Sequence, residues 1–511
     1  MKTPGLALLT IFVLVFLAEG QQTTRNNKIE FAGLTHYQLT QRIFDGERGM
    51  IAGLKDKRPI LETYLQSLWP NTKESPIDDA YFLSAVDFKR DLTTSGYRRR
   101  GYEIFLFGRS PVSRKVRVNN GTKWNLFPDG YLDMMFVDIE DFDADTYDLK
   151  YLQMDTWGHT SCLIFSVAPK NPRLGGQFKG QIWVETSTFK IIRIEGTFTV
   201  APRSFLKRQI GGKIPLYFNF ESVREEVIPG YWLPSYTYFD ENRRWQDVYH
   251  NGETDFHYRG YTFIWGYKNI DPEAVTERSD DSGVIMRLEK DKLLASPGLV
   301  ERRLNAIARQ ILVASNIYLP DIKCRVLLTT PIEIFSVDHT IVLSRGLLNI
   351  LPDESIIAVL LAHEIASLMI RDNRVSPEIS LHGSLFHDNG MKDFEGLGIY
   401  HSSSQKDALA WTTGLALANR AGYSKGVGYT SLLFSQLAQH SKQIPNLVRA
   451  RFGLGMLDIL NAVPILEAAP QSATAVRPLL LRGKYVIDSW TDGINVRPDP
   501  VSSSAVLNLG H

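Results

Sequence analysis

The amino-acid sequence predicts an α+β protein built from two unlike parts, and three observations predict it. Between Tyr37 and Trp69, apolar residues recur mostly at helical steps (Leu39, Ile43, Ile51, Leu54, Leu61, Leu65, Leu68), the spacing that gives a helix one apolar face. From Tyr81 to Tyr267 the period changes to two, with short apolar runs between polar turns, the pattern of antiparallel strands. Beyond Gly283 the helical period returns. A chain of 511 residues exceeds one hydrophobic core and implies about three domains.

Residues 1–20 read as a signal peptide. Lys2 supplies a positive start, Leu6 to Ala18 is an apolar run, and small residues at Ala18 and Gly20 precede Gln21. The run is short for a membrane span, so export to the periplasm or medium is expected, with an uncleaved anchor as the other reading. No later stretch is apolar for long enough to span a bilayer. Residues 21–75 are expected to form a helical N-terminal segment, split at Pro59 and ended by Pro70 and Pro76.

Residues 76–270 form the β-rich region. Val116 to Val118, Gly180 to Glu185 and Phe189 to Glu195 are its clearest strands, and sixteen aromatics between Tyr217 and Tyr267 suit long curved antiparallel ones. Residues 271–290 read as a linker, polar and turn-rich from Asp271 to Gly283. In residues 291–465, Val300 to Val313 is amphipathic, Val326 to Leu343 holds two strand-like runs, and Glu354 to Ile370 is a strongly apolar helix. Ile444 to Val463 reads as a further apolar-faced helix. Residues 466–511 form a C-terminal extension, with a possible hairpin turning at Gly483 or at Thr491-Asp492-Gly493 and a loose tail from Pro498.

Composition excludes several functions. The net charge of +1 offers no field for nucleic acid. Two cysteines, Cys162 and Cys324, make no disulfide framework and read as buried thiols. Neither a nucleophile-elbow serine nor a phosphate-binding glycine loop is present.

The stretch GQIWVETSTFKIIRIEG, followed by EEVIPGYWLPSYTYF, is similar to the LolA/LppX-like half-barrels, periplasmic carriers and sorting proteins for lipoproteins and lipids. That resemblance implies an antiparallel β half-barrel over about residues 80–267. Its apolar face could hold an acyl chain, or could simply pack on the N-terminal helices.

A second resemblance rests on three ordered blocks: IEIFSVDHTIVLSRGLL (Ile332 to Leu348), LPDESIIAVLLAHEIASLMIR (Leu351 to Arg371) and DALAWTTGLALANRAGY (Asp407 to Tyr423). The order resembles the HtpX-like gluzincin metallopeptidases over about residues 292–440. It implies a mostly helical gluzincin-type metallopeptidase-like domain with a β-hairpin. In such a site two histidines four residues apart grip zinc from one helix face, a glutamate beside the first activates water, and a glutamate from a second helix completes the protein's ligands.

This chain departs from that pattern. His363 is the remnant ligand and Glu364 holds the general-base position, but Ser367 stands at the second histidine's place. Asp407 stands at the glutamate ligand's place, one methylene short, and Trp411 where an acidic neighbour belongs. Asp407 reads equally as an ordinary residue near a helix start, and His363 reads better as a buried core histidine than as a ligand. A site completed from elsewhere would have His339, His382 or His387 to draw on. No cofactor is therefore the favoured expectation, with zinc if other residues complete the site.

The resemblance also implies a substrate groove along the hairpin's edge strand, at Ile332, Glu333, Ile334, Phe335, Ser336 and Val337. A peptide would pair there through its backbone unless the adjacent domain covers it. The expected function is a catalytically inactive, exported metallopeptidase-like protein binding polypeptide or lipoprotein in the cell envelope. The alternatives are an active zinc endopeptidase with non-standard ligands, and a lipid or acyl-chain carrier acting through the β-rich domain.

Overall fold

The computed structural model describes residues 31, 33–68, 76–88, 93–100, 114–117, 123–126, 134–139, 141–171, 177–199, 219–246, 253–269, 283–319, 322–337, 339–371, 404–443 and 483–496. The signal peptide, most of the linker, the helix expected at 444–463, His382, His387 and the tail lie outside these residues.

The N-terminal helix, α1 (His36–Leu54), opens on a capping box. Thr35 Oγ1 accepts from the Gln38 amide at 3.3 Å, and Gln38 Oε1 accepts from the Thr35 amide at 2.9 Å, so two otherwise orphaned amides are satisfied reciprocally. Its buried face carries Leu39, Ile43, Phe44, Met50 and Leu54.

The helix then stops, which corrects the helical expectation for residues 60–68. Ile60–Leu68 is a strand, β1, inside a sheet between two other strands. The remaining strands of the first half are β2 (Pro76–Asp87), β3 (Thr93–Arg100), β4 (Arg114–Arg117), β5 (Lys123–Leu126), β6 (Tyr147–Trp157), β7 (Thr160–Pro169), β8 (Phe178–Glu185), β9 (Ile191–Phe198), β10 (Asn219–Ile228), β11 (Tyr231–Gln246) and β12 (Glu253–Trp265). Ten of them form one antiparallel sheet in the order β3-β2-β1-β12-β11-β10-β9-β8-β7-β6, and β4 pairs with β5 separately. With β3 and β6 at its two ends, the sheet is open rather than a closed barrel.

Both faces of this sheet are covered around β1, and that misleads the periodicity. Leu61, Leu233 and Ile264 pack with Met50 and Leu54 of α1. Ile60, Tyr64, Leu83, Tyr236, Tyr261 and Trp265 belong to the core of the C-terminal half. A strand buried on both sides loses its polar alternation, and the apolar run that remains can be read as helix.

The second half contains α2 (Gly283–Lys290), α3 (Leu299–Ala314), β13 (Lys323–Leu327), β14 (Ile334–Val337), β15 (Thr340–Ser344), α4 (Arg345–Ile350), α5 (Glu354–Arg371), α6 (Ser404–Arg420) and α7 (Ser424–Gln443). The expected hairpin is β14–β15, and β13 adds to β15 in parallel, giving the order β13-β15-β14. The Arg-Gly-Leu-Leu turn opens α4. A Cβ on Gly346 would come within 1.8 Å of the Thr330 carbonyl oxygen, so only glycine fits there. The C-terminal hairpin pairs β16 (Tyr485–Ile487) with β17 (Ile494–Val496) and turns through Thr491–Gly493, the second of the two turns considered.

Buried polar contacts also cross between the halves. Glu62 of β1 accepts from the Thr330 amide at 2.6 Å and from Arg345 Nη2 at 2.9 Å. Because a shared core and the Glu62–Arg345 ion pair span both halves, nicking within 271–282 should leave two fragments that co-elute on gel filtration under native conditions. Separation of the fragments would show that the shared core does not hold them together.

Both cysteines are free and buried. Burial pushes the Cys324 thiol up to about 12 and raises that of Cys162, so both should be poor nucleophiles near neutral pH.

Candidate functional site

Helix α5 is fixed at its start by Asp353, whose Oδ1 accepts from the amides of Ser355 and Ile356 at 2.8 and 3.3 Å. The Ser355 hydroxyl beside it is the largest influence holding the Asp353 carboxyl below its ordinary value. Such a cap satisfies first-turn amides and complements the positive end of the helix dipole. The apolar run Ile356 to Ala362 then buries α5 almost all round, which carries His363 and Glu364 into the interior.

The two residues meet their neighbours closely. His363 and Glu364 are each only 4% exposed. His363 Nδ1 lies 3.1 Å from Glu364 Oε1, and Glu364 Oε2 accepts from the Ser336 hydroxyl at 2.8 Å. Ser336, placed in the candidate groove by the sequence, is therefore joined to Glu364. A carboxylate held by a hydroxyl and an imidazole is oriented by them, and nothing in the sequence spacing indicates this pairing.

The other side of the imidazole faces α6. The ring centroids of His363 and Trp411 are 5.0 Å apart at 56°, and Trp411 in turn lies 5.6 Å from Phe434 of α7. A Cβ on Gly414 would stand 2.7 Å from His363 Cα and 2.8 Å from its amide nitrogen. The two helices thus touch backbone to backbone at His363, and the indole one turn earlier is pressed against the imidazole. A glycine inside a helix costs about 1 kcal/mol relative to alanine, so Gly414 was the sequence signal that could have located this crossing.

His363 Nε2 and Trp411 Nε1 are buried and have no hydrogen-bond partner among the described residues. Ser367 lies one turn beyond His363 and is half-buried. Asp407 falls in the first part of α6, and its side chain lies outside the described residues. His339 is exposed on the β14–β15 turn, away from this buried cluster. Among the described residues, no three His, Cys, Asp or Glu side chains come together as a metal-binding group. One imidazole against an indole, with a neutral hydroxyl where a second imidazole would be needed, does not fit a zinc ion that requires several preorganised donors.

The six residues proposed from sequence as a groove, Ile332 to Val337, are all buried. β14 is the end strand of its sheet, but its side chains are part of the core shared by both halves. The backbone at Glu333 is already paired with Ser344, donating to Oγ at 3.0 Å and accepting the Ser344 amide at 2.9 Å.

The apolar sheet face expected for an acyl chain is occupied by α1. Leu39, Ile43 and Phe44 pack among Phe165, Phe178, Ile182, Ile194 and Phe239. Arg224 of β10 holds Glu47 of α1 through two short contacts, at 2.5 and 2.6 Å, with both side chains buried. On the opposite face, toward β6, the sheet covers itself. The Arg193 guanidinium lies between Trp157 and Trp183, at 4.4 and 4.0 Å from their ring centroids, and pairs with Glu195 and Glu221.

Among the described residues, β6 is an end strand of the sheet and pairs with β7. Its residues from Leu152 to Thr156 are exposed, with Leu152 and Met154 at 47% and 54%. The register shifts between Tyr151 and Gln153, so Leu152 itself is the residue left out of the pairing with β7. No helix among the described residues is long and apolar enough to cross a membrane.

No family model matches the chain. No curated protein matches it in sequence. Solved structures that it resembles include a LolA superfamily protein from Nitrosomonas europaea, with 10% identity, a TM-score of 0.22 and coverage of 47% of this chain and 96% of that one. A DUF1329 family protein from Desulfovibrio piger matches with 13% identity, a TM-score of 0.22 and coverage of 46% and 93%. A putative outer membrane lipoprotein-sorting protein domain from Vibrio parahaemolyticus matches with 10% identity, a TM-score of 0.21 and coverage of 44% and 91%.

Proposed function

We propose that the chain is an exported, non-catalytic binding protein whose metallopeptidase-like half serves as a scaffold and whose ligand is an extended polypeptide, such as that of a lipoprotein. The observation that carries the non-catalytic part is the surrounding of His363. Glu364 lies on one side of the imidazole, Trp411 on the other at 5.0 Å, and Ser367 one turn on. Glu364 without a metal-bound water has nothing to activate.

The polypeptide reading moves from the buried β14 to β6. An end strand presents a row of backbone donors and acceptors to a further strand, and exposed Leu152 and Met154 supply apolar contacts beside it. Leu152→Asp with Met154→Asp should weaken capture of an unfolded, reduced polypeptide by about tenfold or more, a loss of about 1.4 kcal/mol. Thermal stability should be unchanged, since both side chains are exposed. Fluorescence anisotropy of labelled, permanently unfolded polypeptide measures this, and equal binding by wild type and variant would rule out β6.

The lipid-carrier reading rests on the apolar face of the open sheet, which among the described residues is covered by α1 around Leu39 to Phe44 together with Met134, Val137 and Phe142. An acyl chain would have to displace that helix and break the Glu47–Arg224 pair. Native mass spectrometry of the mature protein decides this reading. A lipid adduct in place of the bare chain mass would favour it over polypeptide binding.

A further inference from the structure

The C-terminal hairpin is tied to both halves of the molecule. Toward the sheet, the amides of Gly266 and Tyr267 donate to the Ser489 carbonyl at 3.1 and 3.3 Å, and the Ser489 amide donates to Glu225 Oε2 at 3.0 Å. The Lys57 ammonium lies 5.1 Å from the centroid of the Trp490 ring. Toward the helical half, the Ser296 amide donates to the Asp492 carbonyl at 2.9 Å, and the Tyr485 amide donates to Asn349 Oδ1 at 2.8 Å.

Asp492 sits at the centre of this junction. Its backbone is left-handed, at φ 56°, a conformation that asparagine and aspartate tolerate better than other side chains. It is 7% exposed, and its Oδ1 is buried without a hydrogen-bond partner among the described residues. Lys292, whose ammonium donates to the carbonyls of Gly266 and Arg58, and Lys268 act on it from the segments that leave the sheet and enter the helical half. Asp488 acts from within the hairpin. Lys57 acts on Lys292, and Glu225 is engaged by Ser489.

We propose that this hairpin is an acid-tightened clamp, which holds the half-barrel and the metallopeptidase-like half in one arrangement and is loosened when Asp492 ionises. A carboxylate this buried loses hydration that one partly desolvated ammonium does not restore. Burial pushes the Asp492 carboxyl up to about 7 from its ordinary 3.8; Lys292, the Gly266 amide and Lys268 oppose the rise, and Asp488 adds to it. The docked hairpin therefore holds its proton more tightly than an undocked one. Docking is strongest below about pH 4, weakens as pH rises toward 7, and is level above that. Each unit of difference is tenfold, so the docking equilibrium should fall by about a hundredfold between pH 5 and pH 8.

Hydrogen exchange on the full chain, corrected for intrinsic rates, tests this at the amides of Gly266, Tyr267 and Ser296. Their protection should fall by about a hundredfold from pH 5 to pH 8, while amides of β7, far along the sheet, keep theirs. Asp492→Asn retains the left-handed turn and should give pH-independent protection. Lys292→Gln removes the stabilising charge and should move the midpoint to higher pH. Protection that is flat in the wild type, that still falls in Asp492→Asn, that falls equally in β7, or whose midpoint is unmoved in Lys292→Gln would overturn the clamp.

Discussion

Glu62→Ala is expected to destabilise the protein by about 3–5 kcal/mol, the range for removing one partner of a buried ion pair. Glu62 is fully buried in β1, and its carboxylate accepts from the Thr330 amide and hydroxyl at 2.6 and 2.9 Å and from Arg345 Nη2 at 2.9 Å. Arg345 is 2% exposed, donates from Nε to the Leu328 carbonyl at 2.7 Å, and lies 4.3 Å from the Phe263 ring centroid. Truncating the glutamate removes the carboxylate that balances the Arg345 charge and the acceptor of the Thr330 amide inside the core. The double variant Glu62→Leu with Arg345→Met should recover most of the loss, because no uncompensated charge then remains. Urea unfolding at neutral pH measures both, and a single variant within about 1 kcal/mol of wild type would show that the pair does not join the halves energetically.

The second large effect concerns metal. The wild-type protein should purify without stoichiometric zinc and should not cleave unfolded polypeptide. Ser367→His alone should change little, because Trp411 remains against His363. The triple variant Ser367→His, Asp407→Glu, Trp411→Asp places a second imidazole one helical turn from His363 and removes the indole. It should bind one zinc per chain. Without metal it should be destabilised by about 3–5 kcal/mol through loss of the buried tryptophan, and zinc should restore much of this, since binding only the folded state stabilises it. Metal analysis and thermal unfolding with and without chelator are the measurements. Wild-type protein carrying one zinc, with proteolysis lost on chelation, would overturn the non-catalytic reading.

Elements with one buried face were legible in the sequence. α3 shows its apolar stripe from Val300 to Ile311, and β10 to β12 declare themselves by aromatic density. The turn at Thr491-Asp492-Gly493 was readable from turn chemistry, although Gly483 competed with it. Ser367 and Trp411 were readable as departures from the metallopeptidase pattern that the sequence resembles, since residue identity is local.

What could not be read was which groups meet. β1 looked helical because its two faces pack against different partners, α1 on one side and the helical half on the other. Arg345 was visible only as part of a turn, whereas its partner Glu62 lies in another region of the chain. The expected peptide groove at Ile332 to Val337 followed from resemblance, and only the packed structure shows those side chains inside the shared core. The sequence by itself determined the α+β class and the absence of a second histidine at position 367, because period and residue identity are local properties. The tertiary structure decided the covering of the sheet, the contact of Trp411 with His363 and the burial of Asp492, because each depends on groups distant in sequence excluding water from the same place.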